Sequence, residues 1–483
     1  MKRMNRKERI SDSQKTLHTA FSNTIANVIS LVIGTLVVSV TTRVMSQDDV
    51  GTAATFLANR NTIAILVTFS IYAYVNRGLV LHDEDKISFL QSVAYFCILV
   101  IFAAFIIALP FKQQLMNLLS LDPFLYYWLF VSLLSYTVFL VADYYCIYSN
   151  KSGLVFWIVI ATGPIGQILS VIFAVLMPSN KYIGRVLGLD AAYVLVTLIF
   201  LIGFLFKQKR PSWRKCLKYI QESLSFTLPL LPHLLSQMLL TQCDLILISY
   251  LCGTDKSGIY SMGHTVGNLA FTVMTQIMCA WSPWVYRRMK EHQYAPIKYG
   301  SEFLIALGIF LSCGLITVSP ELVHLMLPSS YAVTTSIIPM LVFAMYLQFL
   351  FTLVYDLEYF RKKPHWIALQ SSIAAASNVV LNILIIPIAG YQSACYLTCI
   401  SYAILLLTGL GMTRKLDFKS IYNSRALLFS IIFMGCYSLL GISIENNFVI
   451  RYLLMIVVTC FLLFRYRNIL NSQLRELMRS NGQ

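Results

Sequence analysis

Residues 48–56 read DDVGTAATF and residues 255–263 read DKSGIYSMG, and each stretch follows a long apolar run. In both, an acidic residue is followed three positions later by a glycine and then by a new apolar segment. Gly51 and Gly258 are 207 residues apart. The match predicts that one helical unit occurs twice in the chain.

Two more pairs of segment ends repeat at nearly the same distance. CIYSNKSG and LEYFRKKP place Tyr148 and Tyr359 211 residues apart, while LMPSNKYIG and IIPIAGYQ place Pro178 and Pro387 209 residues apart. Three matches near one offset indicate a duplication that is six predicted helices long. Because six is even, both copies enter a membrane in the same orientation. This predicts two bundles related by an axis along the membrane normal, with a binding site in the cleft between them.

The apolar composition sets the fold class. Of the 483 residues, 58% are hydrophobic and 12% are charged, and runs of about 17 or more apolar residues occur in fourteen places. These are residues 18–42, 53–76, 87–110, 123–146, 153–177, 186–206, 224–251, 258–284, 303–318, 331–355, 366–387, 391–411, 426–442 and 448–464. We therefore predict an all-α polytopic membrane protein with about 14 transmembrane helices, arranged as two six-helix bundles around a central cleft plus two C-terminal helices.

The duplication and the spans together give a domain layout. It comprises a basic cytoplasmic tail (1–17), an N-terminal six-helix bundle (18–206), a basic cytoplasmic linker (207–223), a C-terminal six-helix bundle (224–412), helices 13 and 14 (413–466) and a cytoplasmic tail (467–483). The apolar run after the first tail is about 25 residues long and has no small-residue cleavage pattern, so we expect an uncleaved first span.

The positive charges follow membrane topology. Of the 37 Lys and Arg residues, 30 lie in the two tails and the even-numbered loops. By the positive-inside rule both termini are predicted to be cytoplasmic. The net charge of +16 is then explained by topology and by attraction to anionic lipid headgroups, and nucleic-acid binding is not expected.

Motifs for cofactor chemistry are missing from the sequence. The eleven cysteines include no C-x-x-C pair and lie almost entirely within the apolar spans, so neither a metal site nor a disulfide is predicted. The chain has no G-x-x-x-x-G-K-[ST] motif or other nucleotide fingerprint. We therefore expect no cofactor and no ATP hydrolysis.

The second span, FLANRNTIAILVTF from Phe56, contains a cation inside an apolar run. Burial of Arg60 near mid-membrane costs roughly 3 kcal/mol or more, so its position needs a reason. Two interpretations remain open. Either the side chain snorkels to the outer surface, or it faces a wet cavity and receives an anion.

Polar residues three or four apart form stripes on four predicted helices, the first two of each repeat. The residues that we assign to substrate binding are Arg60, Asn61, Asn23, Asn27, Arg77, Gln237 and Asn268. Asp244 and His264 are candidates for binding a coupling ion or proton. The alternative for each neutral polar residue is helix packing, which contributes roughly 0.6 to 2 kcal/mol per hydrogen bond. Topology alone would place Arg77 at a cytoplasmic helix end.

Three longer blocks resemble one known family. FTLPLLPHLLSQMLLTQCDLILISYLCGTDKSGIYSMGHTVGNL, AWSPWVY and SNVVLNILIIPIAGYQSACYLTCISY are similar to the bacterial polysaccharide flippases of O-antigen and capsule synthesis. These belong to the multidrug/oligosaccharidyl-lipid/polysaccharide exporter superfamily. The family pattern falls on Pro229, Pro232, Asp244, Gly258, Tyr260, Trp281–Pro283, Asn378, Asn382, Pro387 and Gly390.

The resemblance implies translocation of an undecaprenyl-diphosphate-linked oligosaccharide across the bacterial cytoplasmic membrane. Membrane lipids and, further, the polysaccharide polymerase machinery are the partners it implies. Sugar hydroxyls each cost several kcal/mol in hydrocarbon, on the order of 4 to 8 without a hydrogen bond, so a wet cleft is required. Arg60 would receive the diphosphate.

Two other classes of protein compete with this interpretation. A multidrug antiporter of the same fold would need acidic residues, rather than Arg60, to bind cationic substrates. A membrane-embedded polymerase or glycosyltransferase usually carries a catalytic loop of tens of residues. The longest outer connections here are only about a dozen residues and have no clustered acids, so we expect no enzymatic activity.

The charge pattern makes topology testable. A thiol introduced near Asp255 is expected to react with an impermeant reagent added to intact cells, because this loop is predicted to be outside. A thiol near Lys209 should stay unmodified. The reverse labelling pattern would show that the orientation is inverted.

Overall fold

The computed structural model describes residues 26, 29–149, 152–206, 210–416 and 418–480. These residues are almost entirely helical and contain no β-strand. The all-α prediction is confirmed. Helices suit this composition because they satisfy every backbone N–H and C=O group within one segment, as hydrocarbon requires.

Each of the fourteen predicted spans corresponds to a helix in the described part of the chain. In order they are α1 (Ile29–Val44), α2 (Gln47–Thr68), α3 (Lys86–Ala108), α4 (Pro123–Tyr148), α5 (Gly153–Leu176), α6 (Lys181–Phe200), α7 (Trp213–Cys252), α8 (Thr254–Lys290), α9 (Tyr294–Met326), α10 (Thr334–Phe360), α11 (Pro364–Ala389), α12 (Ala394–Thr413), α13 (Ser424–Ser443) and α14 (Phe448–Ser480). Short helical segments join several of them, among them Lys112–Leu119 and Phe418–Ile421.

Most of these helices are long and apolar enough to cross a membrane. Among the described residues eleven segments qualify, and a twelfth is the bent pair formed by α2 and Ile71–Leu81. The described part of α1 is a shorter apolar helix. The 37 residues of α8 carry the polar stripe of His264 and Asn268, which lowers its hydropathy. The chain is therefore a multi-pass membrane protein.

The second helix begins earlier than the apolar run suggests. Ser46 caps α2 and forms a capping box with Asp49, so the helix starts six residues before the predicted span. Arg60 consequently lies thirteen residues into α2, roughly 20 Å from its start. At Phe69 and Ser70 the backbone adopts φ values of 50°, and the chain bends by 70° into the next segment.

The described chain divides into two compact units, Met1–Gly258 and Ile259–Gln483. In the first unit α2, α4 and α6 pack against one another, and α7 packs against α2. In the second unit α10 is the most buried helix and contacts α9, α11, α12 and α13. The duplication of a six-helix unit stays a prediction. Gly51 and Gly258 are each the fifth residue of their helices.

Helices 13 and 14 belong to the second unit. α14 is attached to α9 by Arg451, whose Nη2 lies 2.6 Å from Oε1 of Glu321 and whose Nη1 lies 2.9 Å from Oε2. Arg451 also donates to the backbone carbonyl of Thr317 on α9. Such a two-pronged contact fixes orientation as well as distance, so α14 has a defined rotation against α9.

Two glycines allow α5 and α6 to approach closely. A Cβ added at Gly184 would lie 2.4 Å from the carbonyl oxygen of Phe173, and one at Gly188 would lie 2.4 Å from the Ser170 backbone. Small residues four apart are the usual device for close helix contact in membranes. The pair sets the position of α6, which carries Asp190.

We expect Gly188→Ala to destabilise the protein by roughly 1 to 3 kcal/mol, because the added methyl group meets rigid backbone. Gly153→Ala is the matched control, since no atom lies within 4 Å of its added Cβ. The stability of each variant is measured by thermal unfolding of the purified protein in detergent. Equal melting temperatures for the two variants would show that the α5–α6 contact does not require a glycine.

Candidate functional site

The guanidinium of Arg60 is paired with an acid inside the first unit. Its Nη1 lies 2.6 Å from Oδ1 of Asp190, and the two side chains are 6% and 1% exposed. The cation therefore does not snorkel to a surface. An arginine stays charged in a protein, so the pair consists of two opposite charges buried among helices.

Asp190 is held from a second side. Its Oδ2 accepts a hydrogen bond of 2.9 Å from the indole Nε1 of Trp128. A tryptophan can only donate, so Oδ2 of Asp190 is the acceptor in this contact. The acid is thereby oriented with one oxygen towards Arg60 and the other towards α4.

Aromatic rings cover the cation. The guanidinium carbon of Arg60 lies 4.6 Å from the ring centre of Tyr136 and 5.3 Å from that of Tyr193. The two rings meet edge to face, with centres 5.7 Å apart. Each desolvated cation–π contact adds an attraction of about 1 to 2 kcal/mol, which offsets part of the cost of burying the charge.

Three helices build this site. Arg60 projects from α2, while Trp128 and Tyr136 lie eight residues apart on α4, and Asp190 and Tyr193 lie three apart on α6. Residues three, four or eight apart on a helix share a face. The α4–α6 contact is fixed in addition by the Thr197 hydroxyl, which donates to the Ser135 carbonyl at 2.8 Å.

The guanidinium keeps spare donors. Of its five N–H groups, one on Nη1 binds Asp190, while Nε and one on Nη2 bind Oδ1 of Asn61 at 3.3 and 3.2 Å. Within the described chain two N–H groups, one on each terminal nitrogen, have no acceptor. The site can therefore accept further anionic oxygens without breaking every existing bond.

The other predicted residues of the first unit lie on α7 and in the segment Ile71–Leu81 that follows the bend. Asp244 is buried and Gln237 is half-buried on α7, which packs against α2. Arg77 is exposed, with its guanidinium carbon 5.1 Å from the Phe226 ring centre. Arg77 is thus separate from the Arg60 site.

The remaining predicted residues lie on α8 or outside the described part of the chain. His264 and Asn268 lie one turn apart and half-buried on α8, in the second unit. Asn23 and Asn27 lie outside the described residues. Within the described chain no cluster of three or more His, Cys, Asp or Glu side chains has the arrangement of a metal site.

Sequence reasoning missed Asp190 and Trp128. The signal for Asp190 was present, because GLDAAY places an acid inside the sixth apolar span. Ionisable residues within a membrane usually pair with one another, so Asp190, like Asp143 in the fourth span, was a candidate partner of Arg60. Trp128 gave no comparable signal, since tryptophans are common in apolar spans.

The fold is that of a multi-pass membrane protein whose first unit contains a buried charge pair. Residues 16–289, more than half of the chain, match the family described as "Polysaccharide biosynthesis protein". The chain belongs to that family. The resemblance to polysaccharide flippases is thus confirmed.

Solved structures share the fold at low sequence identity. A lipid II flippase, MurJ, in an inward closed conformation has a TM-score of 0.65 and 16% identity, over 93% of this chain and 99% of that one. An inward-facing multidrug resistance transporter of the MATE family has a TM-score of 0.53 and 10% identity, over 84% and 95%. A transporter of the MOP superfamily from Pyrococcus furiosus has a TM-score of 0.51 and 10% identity, over 83% of this chain and 95% of that one. No curated protein matches the chain.

Proposed function

We propose that this protein is a flippase that carries undecaprenyl-diphosphate-linked oligosaccharide repeat units across the bacterial cytoplasmic membrane by alternating access. The product serves surface polysaccharide synthesis, where the polymerase machinery is the expected partner. Membership of the polysaccharide biosynthesis family and the fold shared with a lipid II flippase support a lipid-linked substrate. Both termini are proposed to be cytoplasmic.

The observation that carries the proposal is the state of Arg60. It is a buried cation with two N–H groups that have no acceptor among the described residues, and its one counter-charge is a carboxylate. A diphosphate offers several anionic oxygens in the geometry that a guanidinium binds best. Arg60 is therefore proposed as the group that receives it.

Charge balance suggests how the substrate would bind. Asp190 neutralises Arg60 in the unloaded protein, and a diphosphate would take over that function. The buried acid would then either keep only the Trp128 hydrogen bond or move aside, so the anion must compete with Asp190. Such competition lets the site hold its cation without a substrate at modest cost, since an unpaired buried charge costs several kcal/mol, on the order of 3 to 5.

The other predicted residues receive roles in the same proposal. Asn61, which already binds Arg60, and the side chains of Asn23, Asn27, Gln237 and Asn268 would hydrogen-bond sugar hydroxyls or phosphate. Exposed Arg77 would attract the anionic headgroup before it reaches Arg60. Asp244 and His264 remain the proposed sites for a coupling ion or proton.

A cation-coupled multidrug antiporter is the alternative, because MATE structures share the fold. The Arg60 site weighs against it. A pocket for cationic drugs requires an excess of acid, whereas here Asp190 is neutralised by Arg60. The rings of Tyr136 and Tyr193 are already in contact with the guanidinium.

We expect Arg60→Ala to abolish surface polysaccharide and Arg60→Lys to retain part of it. A lysine keeps the charge and loses the two-pronged geometry. Each lost charge-assisted hydrogen bond is worth about 1.5 to 3 kcal/mol, so substrate affinity should fall by roughly 10- to 100-fold. Surface polysaccharide is measured at matched membrane abundance.

A double variant separates binding from structural pairing, since Arg60→Ala alone also leaves Asp190 without its counter-ion. Arg60→Met with Asp190→Leu removes both charges, which is usually neutral or stabilising. If Arg60 binds the diphosphate, the double variant is stable and still exports nothing. Wild-type export by it would show that the pair is only structural.

The coupling residue on α7 gives a further test. We expect Asp244→Asn to slow export while the protein stays folded, because moving one charge through 100 mV is worth about 2.3 kcal/mol and the amide cannot carry it. Export rate and melting temperature are measured together. An unchanged rate would return Asp244 to a packing function.

A further inference from the structure

One buried acid of the other unit has no cation in an ion pair with it in the described structure. Glu358 is near the end of α10 and is 0% exposed. Its Oε1 accepts a hydrogen bond of 2.6 Å from Nε2 of Gln370 on α11. The same nitrogen lies 3.1 Å from Sδ of Met412 on α12. The carboxyl group is therefore enclosed by α10, α11 and α12.

The contact between Glu358 and Gln370 leaves two oxygens unsatisfied. Oε2 of Glu358 and Oε1 of Gln370 are both buried, and neither has a hydrogen-bond partner in the described structure. Both are acceptors when the acid is ionised. Protonation of Glu358 adds a hydrogen-bond donor beside these acceptors, because a carboxylic acid has one O–H group. Protonation also removes a buried charge that has no counter-ion, which is an unfavourable arrangement.

Charged side chains of the surrounding helices make their described contacts with residues other than Glu358. Within the described residues no ion pair includes Glu358. On its own helix Asp356 accepts from Ser282 and Tyr286 of α8, at 3.0 and 2.9 Å. On α9, Glu302 accepts from Nδ2 of Asn423 at 2.6 Å.

The remaining titratable groups of this region do not neutralise Glu358 either. Of the described cations and histidine that flank α10 to α13, Arg361, Lys362, His365, Arg414 and Arg425 are exposed. The half-buried Lys363 has its Nζ 5.6 Å from the Trp366 ring centre. The ring of Tyr359 stacks on that of Tyr286 with centres 5.9 Å apart. On α12 Cys399 donates to the Met340 carbonyl. Glu358 thus differs from Asp190, whose charge is compensated by Arg60.

We propose that Glu358 is a proton-binding site of the second unit. In the described conformation it holds a proton at neutral pH, and loosening of the α10–α11–α12 contact releases that proton to water. A fall in pH favours the conformation that binds more protons. The packed conformation binds more protons, so a rise in pH favours conformations that expose Glu358. A proton fits better than a metal ion, since only two free oxygens are present and a hard cation takes about six or more.

Infrared spectroscopy of the purified protein at neutral pH tests the proposal without any substrate. The carbonyl band of a protonated carboxylic acid is expected in the wild type and should lose intensity in Glu358→Gln. Glu302→Gln is the matched control and should leave the intensity unchanged, because Glu302 is bound to an amide at a less buried site. A band of wild-type intensity in Glu358→Gln, or no band in the wild type, would overturn the proposal.

The side-chain carbonyl oxygen of Glu358→Gln can still accept from Nε2 of Gln370, so we expect this variant to fold. Its melting temperature should change less than that of the wild type between mildly acid and mildly alkaline buffer. If the variant does not fold, carbodiimide labelling of the wild type decides, because carbodiimides react with protonated carboxyls in apolar surroundings. Labelling of Glu358 supports the proposal; failure to label it, or protection by sodium rather than by high pH, contradicts it.

Discussion

A cation inside hydrocarbon must have a compensating charge, and the first unit is built around that requirement. Arg60 lies in the middle of α2, and its partner Asp190 comes from α6, 130 residues later. The pair therefore holds two helices at one height and one rotation. Trp128 adds α4 by binding the other oxygen of Asp190. Gly184 and Gly188 allow α5 to approach α6 closely. The helix that carries Asp190 is therefore packed against α5 as well as against α2 and α4.

Hydropathy predicted the helices well because hydrocarbon leaves few alternatives to them. It was less informative about where they begin and bend. α2 starts at Gln47 because Ser46 and Asp49 form a cap, which is a polar signal outside the apolar run. Its end at Phe69 and Ser70 involves no glycine or proline, so no breaker residue marked the bend. Such features depend on local hydrogen bonds and on tertiary packing.

The candidate site was predicted in part. Arg60 was identified because a charge interrupts an apolar span, and Asn61 because it adjoins Arg60. The aromatic cover of Tyr136 and Tyr193 could not be read from spacing, since it requires α4 and α6 to lie beside α2. Glu358 was hidden by its surroundings in the sequence. It lies three residues beyond the predicted span 331–355 and three residues before Arg361, whereas the structure places it inside the helix packing.

The two buried acids show why one residue type has two different consequences. Asp190 lies 2.6 Å from a guanidinium and accepts from a second donor, so each of its two oxygens has a partner. Glu358 has only a neutral amide beside it and one oxygen without a donor, so the neutral form suits that position. In our proposals the first acid is exchanged for a substrate anion and the second exchanges a proton. Because the two groups lie in different units, energy from a proton need not enter at the substrate site. It needs only to change the balance between conformations that the substrate also selects.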